Sequence, residues 1–124
     1  MTYFLLVALG GAAGAMARYG VDRVVFAHLA SALVATAIVN VSGSFALGLL
    51  AGFLGPRSGW PDQVTMLVAV GFLGSYTTFS TLSLATVTLL EEGNVSGAAV
   101  NLTATVVLGL AAAFAGLLLG RAVA

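Results

Sequence analysis

The chain has 124 residues, 60% of them hydrophobic and only 6% charged, with a formal net charge of zero. A soluble domain carries roughly 25% charged residues, so this chain has too few charges to solvate a surface, and the bilayer is the solvent that tolerates the deficit. Neutral balance gives no footprint for nucleic acid. Absent cysteine excludes disulfides and thiolate chemistry, and the single histidine, His28, cannot build a metal site alone.

Crossing the hydrocarbon core takes about 20 apolar residues as helix. The charged residues divide the chain into four such pieces, forming one membrane domain over 1–124. The first span covers about 2–27 and continues past Arg18. Ala15-Met16-Ala17 resembles a leader cleavage site, but the basic stretch that a leader needs is missing, so no cleavage is expected. The second span, about 30–54, carries no charge. Prolines and glycines mark a loop over 55–62, where Trp60 suits the headgroup level. The third span covers about 63–90, Glu91-Glu92-Gly93-Asn94 is a turn, and the fourth covers about 95–119. Strands of a barrel would alternate polar and apolar residues, and these runs do not. The expected fold is an all-α integral membrane protein of four transmembrane helices.

With four spans, Arg18 and Arg23 fall on one side and Arg57 and Arg121 on the other. Orientation follows the bias of such charges, and here there is none. Two readings stand: four charges are too few to interpret, or the chain inserts both ways and opposite copies pair. Four short helices enclose little space, so an oligomer is expected in either case.

Inside the second span, Thr36, Asn40, Ser44, Gly48 and Gly52 recur every four residues and share one helical face. Small residues at this spacing let helices approach closely in lipid. Asn40 differs, because its amide needs either an interhelical partner or a wet path. Asn101, Thr105 and Gly109 repeat the device in the fourth span. Residues 71–83 of the third span are rich in Gly, Ser and Thr on every side of the helix. Irregular backbone at membrane depth is tolerated only where protein buries it or water lines it, and broken helices expose carbonyls and amides that bind ions. A third helix broken near the midplane is therefore expected, against ordinary bonding of Ser and Thr back to the helix. No Asp, Glu, Lys or His lies deep in any span, as a proton relay would require. Hydroxyls, an amide and aromatic ring edges can replace the hydration shell of a small anion. The residues thus describe an uncharged pore without naming the ion.

The Gly-rich stretch from Gly10 to Arg18-Tyr19, the stretch Asn40-Val41-Ser42-Gly43-Ser44-Phe45, and Gly71 to Ser80 with Thr77-Thr78-Phe79-Ser80-Thr81 occur in this order. Together they resemble the Fluc (CrcB) fluoride channel family over nearly the whole chain. The resemblance implies no enzyme but a passive fluoride channel in the cell membrane, exporting fluoride to relieve its toxicity. It implies an antiparallel, dual-topology dimer with two pores, and a structural sodium ion held by the backbone carbonyls of Gly74 and Thr77 from both copies, with no organic cofactor. It places Asn40, Phe79, Thr81, Ser44, Thr36 and Thr105 along the pore and Arg18 near its aqueous end.

Some positions depart from the family pattern. The second Phe of Thr-Thr-Phe-Ser-Thr-Phe is Leu82, a usual Glu is Ala85, and the Tyr and Ser steps of the fourth helix are Asn101, Thr105 and Gly109. These departures motivate an alternative, a pore-deficient partner subunit that works with a paralogous chain. A small proton-coupled exporter is a further alternative. It would need a membrane-embedded acid in the first span, and residues 1–17 contain none.

Overall fold

A computed structural model describes residues 1–55 and 61–124; the sequence expectations for Arg57 and Trp60 lie outside the described residues. Among the described residues every regular element is a helix. Helix α1 spans Thr2–Leu29 and α2 spans Ala32–Leu54. A single turn α3, Asp62–Val64, leads into a π-helical run, Thr65–Leu73, and then into the short α4, Gly74–Tyr76. Helix α5 spans Phe79–Glu91 and α6 spans Val95–Val123. Four segments, Thr2–Leu29, Ala32–Leu54, Asp62–Glu91 and Val95–Val123, are long and apolar enough to cross a membrane. The last runs past Gly120 and Arg121, where the sequence had suggested an end, because nothing there breaks the helical ladder and an arginine suits a helix C-terminus.

The turns follow from local chemistry. Helix α1 ends on Ala30 in the left-handed region (φ 50°), whose N–H reaches the Phe26 carbonyl at 2.9 Å. Ser31 then caps α2, its hydroxyl accepting from the Val34 N–H. Between α5 and α6, Gly93 (φ 77°) closes a Schellman motif through Gly93 N–H to Leu90 and Asn94 N–H to Leu89. The Asn94 side chain caps α6 by accepting from Gly97 N–H at 2.9 Å.

Two seams hold the helices together. The more extensive joins α2 to α6, and the second joins α1 to the π-helical run. Lipid tails are as apolar as leucine, so contact in the bilayer relies on close backbone approach through small residues. A Cβ added at Gly48 or Gly52 would fall on the carbonyl of Ala113 or Leu117, and one at Gly116 or Gly120 on that of Phe45 or Leu49. In the second seam, a Cβ at Gly10 or Gly14 would fall on the Leu67 or Phe72 carbonyl. Few large side chains are buried in the single chain, and Val39 is the largest that is fully enclosed. The outward faces are apolar, as a bilayer or another chain requires.

Candidate functional site

Between α4 and α5 the backbone is extended at two residues, Thr77 (φ −83°, ψ 157°) and Thr78 (φ −152°, ψ 110°). The donors there are redirected. Thr78 N–H, which would otherwise close a helical bond to the Gly74 carbonyl, donates to Asn40 Oδ1 at 2.7 Å. Thr81 N–H, the i+4 partner of the Thr77 carbonyl, donates to Thr78 Oγ1 at 3.2 Å and caps α5. The carbonyls of Gly74 and Thr77 thereby lose their usual donors. Asn40 completes its grip by donating from Nδ2 to the Thr78 carbonyl at 3.0 Å. Of the two partners open to Asn40 in sequence, the structure supplies the interhelical one, and it is backbone rather than side chain.

Counting protons separates the engaged hydroxyls from the free ones, because each hydroxyl has one proton to donate. Thr78 Oγ1 donates to Thr81 Oγ1 at 3.0 Å, so Ser80 must be the donor in its 3.2 Å contact with Thr78. Thr77 spends its proton on the Leu73 carbonyl, and Thr86 on that of Leu82 while accepting from Asn101 Nδ2. Among the described residues the Ser44 and Thr105 hydroxyls make no hydrogen bond, and one Nδ2 proton of Asn40 is spare. These three groups share an open-sided cleft of about 410 Å³ between α2, the 74–82 segment and α6. Gly109 also lines the cleft, where a Cβ would come into ordinary contact with Ser44 Oγ at 3.6 Å.

The same cleft is lined by Gly74, Thr77, Thr78, Phe79 and Leu82, and among the described residues no ionisable one lines it. Phe79 is 75% exposed on the single chain, whereas Leu82 is 3% exposed and Thr105 5%. Three other sequence candidates are not part of the lining. Thr36 is buried one turn before Asn40 on α2, Thr81 is exposed within the hydroxyl cluster at the start of α5, and Arg18 is half-buried on α1. Thr78, absent from the sequence candidates, is the residue that organises the interruption. Its signal was available, as a threonine one position before a helix and three before the N–H it caps.

Four apolar spans, with uncharged donors converging on an extended stretch within the third, define a multi-pass membrane protein with a neutral polar cleft. Residues 5–117 match the family described as CrcB-like protein, Camphor Resistance (CrcB), and the chain belongs to that family. A Hyphomonas neptunium protein named fluoride-specific ion channel FluC is 43% identical over 123 residues, covering 98% of this chain and 97% of that one. A protein of the same name from Magnetococcus marinus is 46% identical over 116 residues, covering 93% and 94%. A third, from Methylococcus capsulatus, is 45% identical over 119 residues, but the chain spans only 52% of that relative's length.

Proposed function

We propose that the chain is a passive, fluoride-selective channel of the cell membrane that exports fluoride, assembled as an antiparallel, dual-topology homodimer. The observation that carries the reading is the donor set of the cleft. Ser44, Thr105 and Asn40, each with a hydroxyl or amide proton not spent among the described residues, line it, and none of the described lining residues is ionisable. Neutral donors stabilise an anion without trapping it, whereas a proton-coupled carrier needs a group that titrates. Phe79, largely exposed on one copy, is available to present its positive ring edge toward a path shared with a second copy. Thr36, Thr81 and Arg18 belong to the approaches of that path in this reading.

The interruption at Thr77–Thr78 then lies near the membrane midplane. The redirected Gly74 and Thr77 carbonyls are hard, uncharged oxygen donors, a chemistry that suits sodium. Two copies would supply four such oxygens, and a bound sodium would contribute the positive charge that holds them together.

The test is fluoride efflux from liposomes containing only this purified chain. Efflux that needs no proton gradient and excludes chloride is expected, and silence of the pure chain overturns the homodimer. Recovery on adding a paralogous chain would instead identify a partner subunit, with Leu82 and Ala85 as the positions to restore. Replacing all sodium with a much larger cation should weaken the dimer or its conduction, and indifference of both to that exchange removes the sodium site.

A further inference from the structure

We propose that the hydroxyls of Tyr76 and Ser42 form a latch that positions the Thr77–Thr78 interruption against α2, making both positioning residues for conduction. Its effect on flux rests on the channel reading above; its effect on backbone order does not.

Tyr76 Oη lies 3.0 Å from Ser42 Oγ, and Ser42 Oγ lies 2.6 Å from the Ile38 carbonyl. A carbonyl only accepts, and serine has one proton, so Ser42 donates to Ile38 and Tyr76 must donate to Ser42. The result is a directed relay from the third span into the backbone of α2, in which each bond polarises the next. The phenol ring is set from two sides. It stacks on Phe72, with centroids 5.9 Å apart and planes 12° from parallel. Across from α2, Gly43 leaves room for it, since a Cβ there would stand 3.2 Å from Tyr76 Cδ1 and would fall on Thr77 Cγ2.

One turn of α2 therefore touches three consecutive residues: Ser42 holds Tyr76, Gly43 admits Thr77, and Asn40 grips both polar groups of the Thr78 backbone. The Thr77 carbonyl sits between the two grips. With the latch gone, the polar ties from α2 to the segment reduce to those of Asn40, and the extended peptide at Thr77 is held less firmly on the Tyr76 side.

Tyr76→Phe removes only the hydroxyl, and Ser42→Ala removes its acceptor together with the bond from Ser42 to the Ile38 carbonyl. Both variants, their combination and Ser42→Thr should be made in the full chain. Fluoride efflux is read in liposomes and amide exchange over 74–81 in detergent. A hydrogen bond of ordinary net strength predicts a roughly three- to tenfold loss of flux and of exchange protection in each single variant. The combination should be no worse than Ser42→Ala alone, because the Tyr76–Ser42 bond can be lost only once, and Ser42→Thr should keep wild-type behaviour in both readouts. Wild-type flux and protection in Tyr76→Phe, or losses that multiply in the double variant, overturn the latch. Should wild type carry no fluoride, the channel reading fails and exchange alone judges the latch, with unchanged protection in Tyr76→Phe overturning it.

Discussion

Asn40 and Ser44 share a face of α2 with Gly48 and Gly52, yet the two pairs meet different neighbours. Gly48 and Gly52 lie against the α6 backbone with no room for a Cβ. Asn40 reaches across to the Thr78 backbone, and Ser44, its hydroxyl unspent among the described residues, lines the cleft. The four-residue spacing places all of them on one side. What each does there depends on the partner. Opposite the Gly48 end stands a regular helix, whose own ladder uses its polar groups. Opposite the Asn40 end stands backbone whose ladder is interrupted and needs outside partners. A single stripe thus changes from packing seam to polar clamp over two helical turns.

The largest effect is expected at the packing end. Gly116→Leu places a branched side chain where even a Cβ would meet the Phe45 carbonyl and stand 2.8 Å from Leu49 N. Backbone cannot yield as a side-chain tip does, so folded, monodisperse protein in detergent should drop about tenfold or more, since overpacking costs about 1–3 kcal/mol and the added atoms here meet backbone. Gly20→Ala is the matched control, because nothing lies within 4 Å of its added Cβ. Equal yields from the two variants would remove the close seam.

At the clamp end, Asn40→Asp and Asn40→Ala separate holding from conduction. Asp keeps an acceptor for Thr78 N–H and loses the donor to its carbonyl, while Ala loses both. Each buried backbone group left unpaired costs about 1–3 kcal/mol. Both variants should therefore unfold below wild type, Asp at least as far as Ala, because its carboxylate faces the Thr78 carbonyl and carries charge at low dielectric. Flux should be lower in Asp than in Ala, since that carboxylate repels an anion strongly where the dielectric is low. Asp retaining more flux than Ala would mark Asn40 as a clamp with no part in the ion path. Phe79→Ile, which keeps bulk and removes the ring edge, should cut flux with yield unchanged.

A smaller effect is expected at Thr78, whose hydroxyl caps α5 and is 8% exposed. Thr78→Val should lower stability by about 1–2 kcal/mol through the lost cap, and Thr78→Ser should restore most of it. Unfolding midpoints of the two variants within experimental error of each other would show that the cap contributes nothing.

How much of this was legible in the sequence differs between the two ends of the stripe. The four spans could be read from hydropathy, because the bilayer imposes a length on each helix and expels charge from it. The glycine seam could be read from spacing, since small residues every four positions have few other uses in lipid. Composition also set residues 71–83 apart. It could not reveal that Asn40 would bind Thr78, because that pairing joins residues 38 positions apart and depends on how α2 lies against the third span. Nor did it mark the π-helical run, whose Thr65–Leu73 sequence is an ordinary apolar stretch. The cleft joins Asn40, Ser44, Phe79 and Thr105, while Thr36, on the same four-residue repeat, is buried outside it. Periodicity identifies a helix face and does not say where along it a neighbour begins.

The smallest effect is expected far from both ends, where a Cβ is present and unwelcome. Ala30 closes α1 in the left-handed region, and it is the one residue other than glycine with positive φ among those described. There its Cβ crowds the carbonyl oxygen, a strain that glycine lacks. Glycine is also the usual residue at such a helix end. Against this, glycine gives the unfolded chain more freedom to lose. The strain is the stronger of these two effects, so Ala30→Gly should raise stability by about 0.5–1 kcal/mol, read as a higher unfolding midpoint in detergent. Ala30 belongs to neither the α2–α6 seam nor the cleft, so fluoride flux per amount of folded protein should stay at the wild-type value. A lower midpoint would show that chain freedom outweighs strain at this turn. A changed flux at an unchanged midpoint would show that the α1–α2 turn is coupled to the clamp, and the division of α2 into a packing end and a polar end would then have to extend back through Ser31.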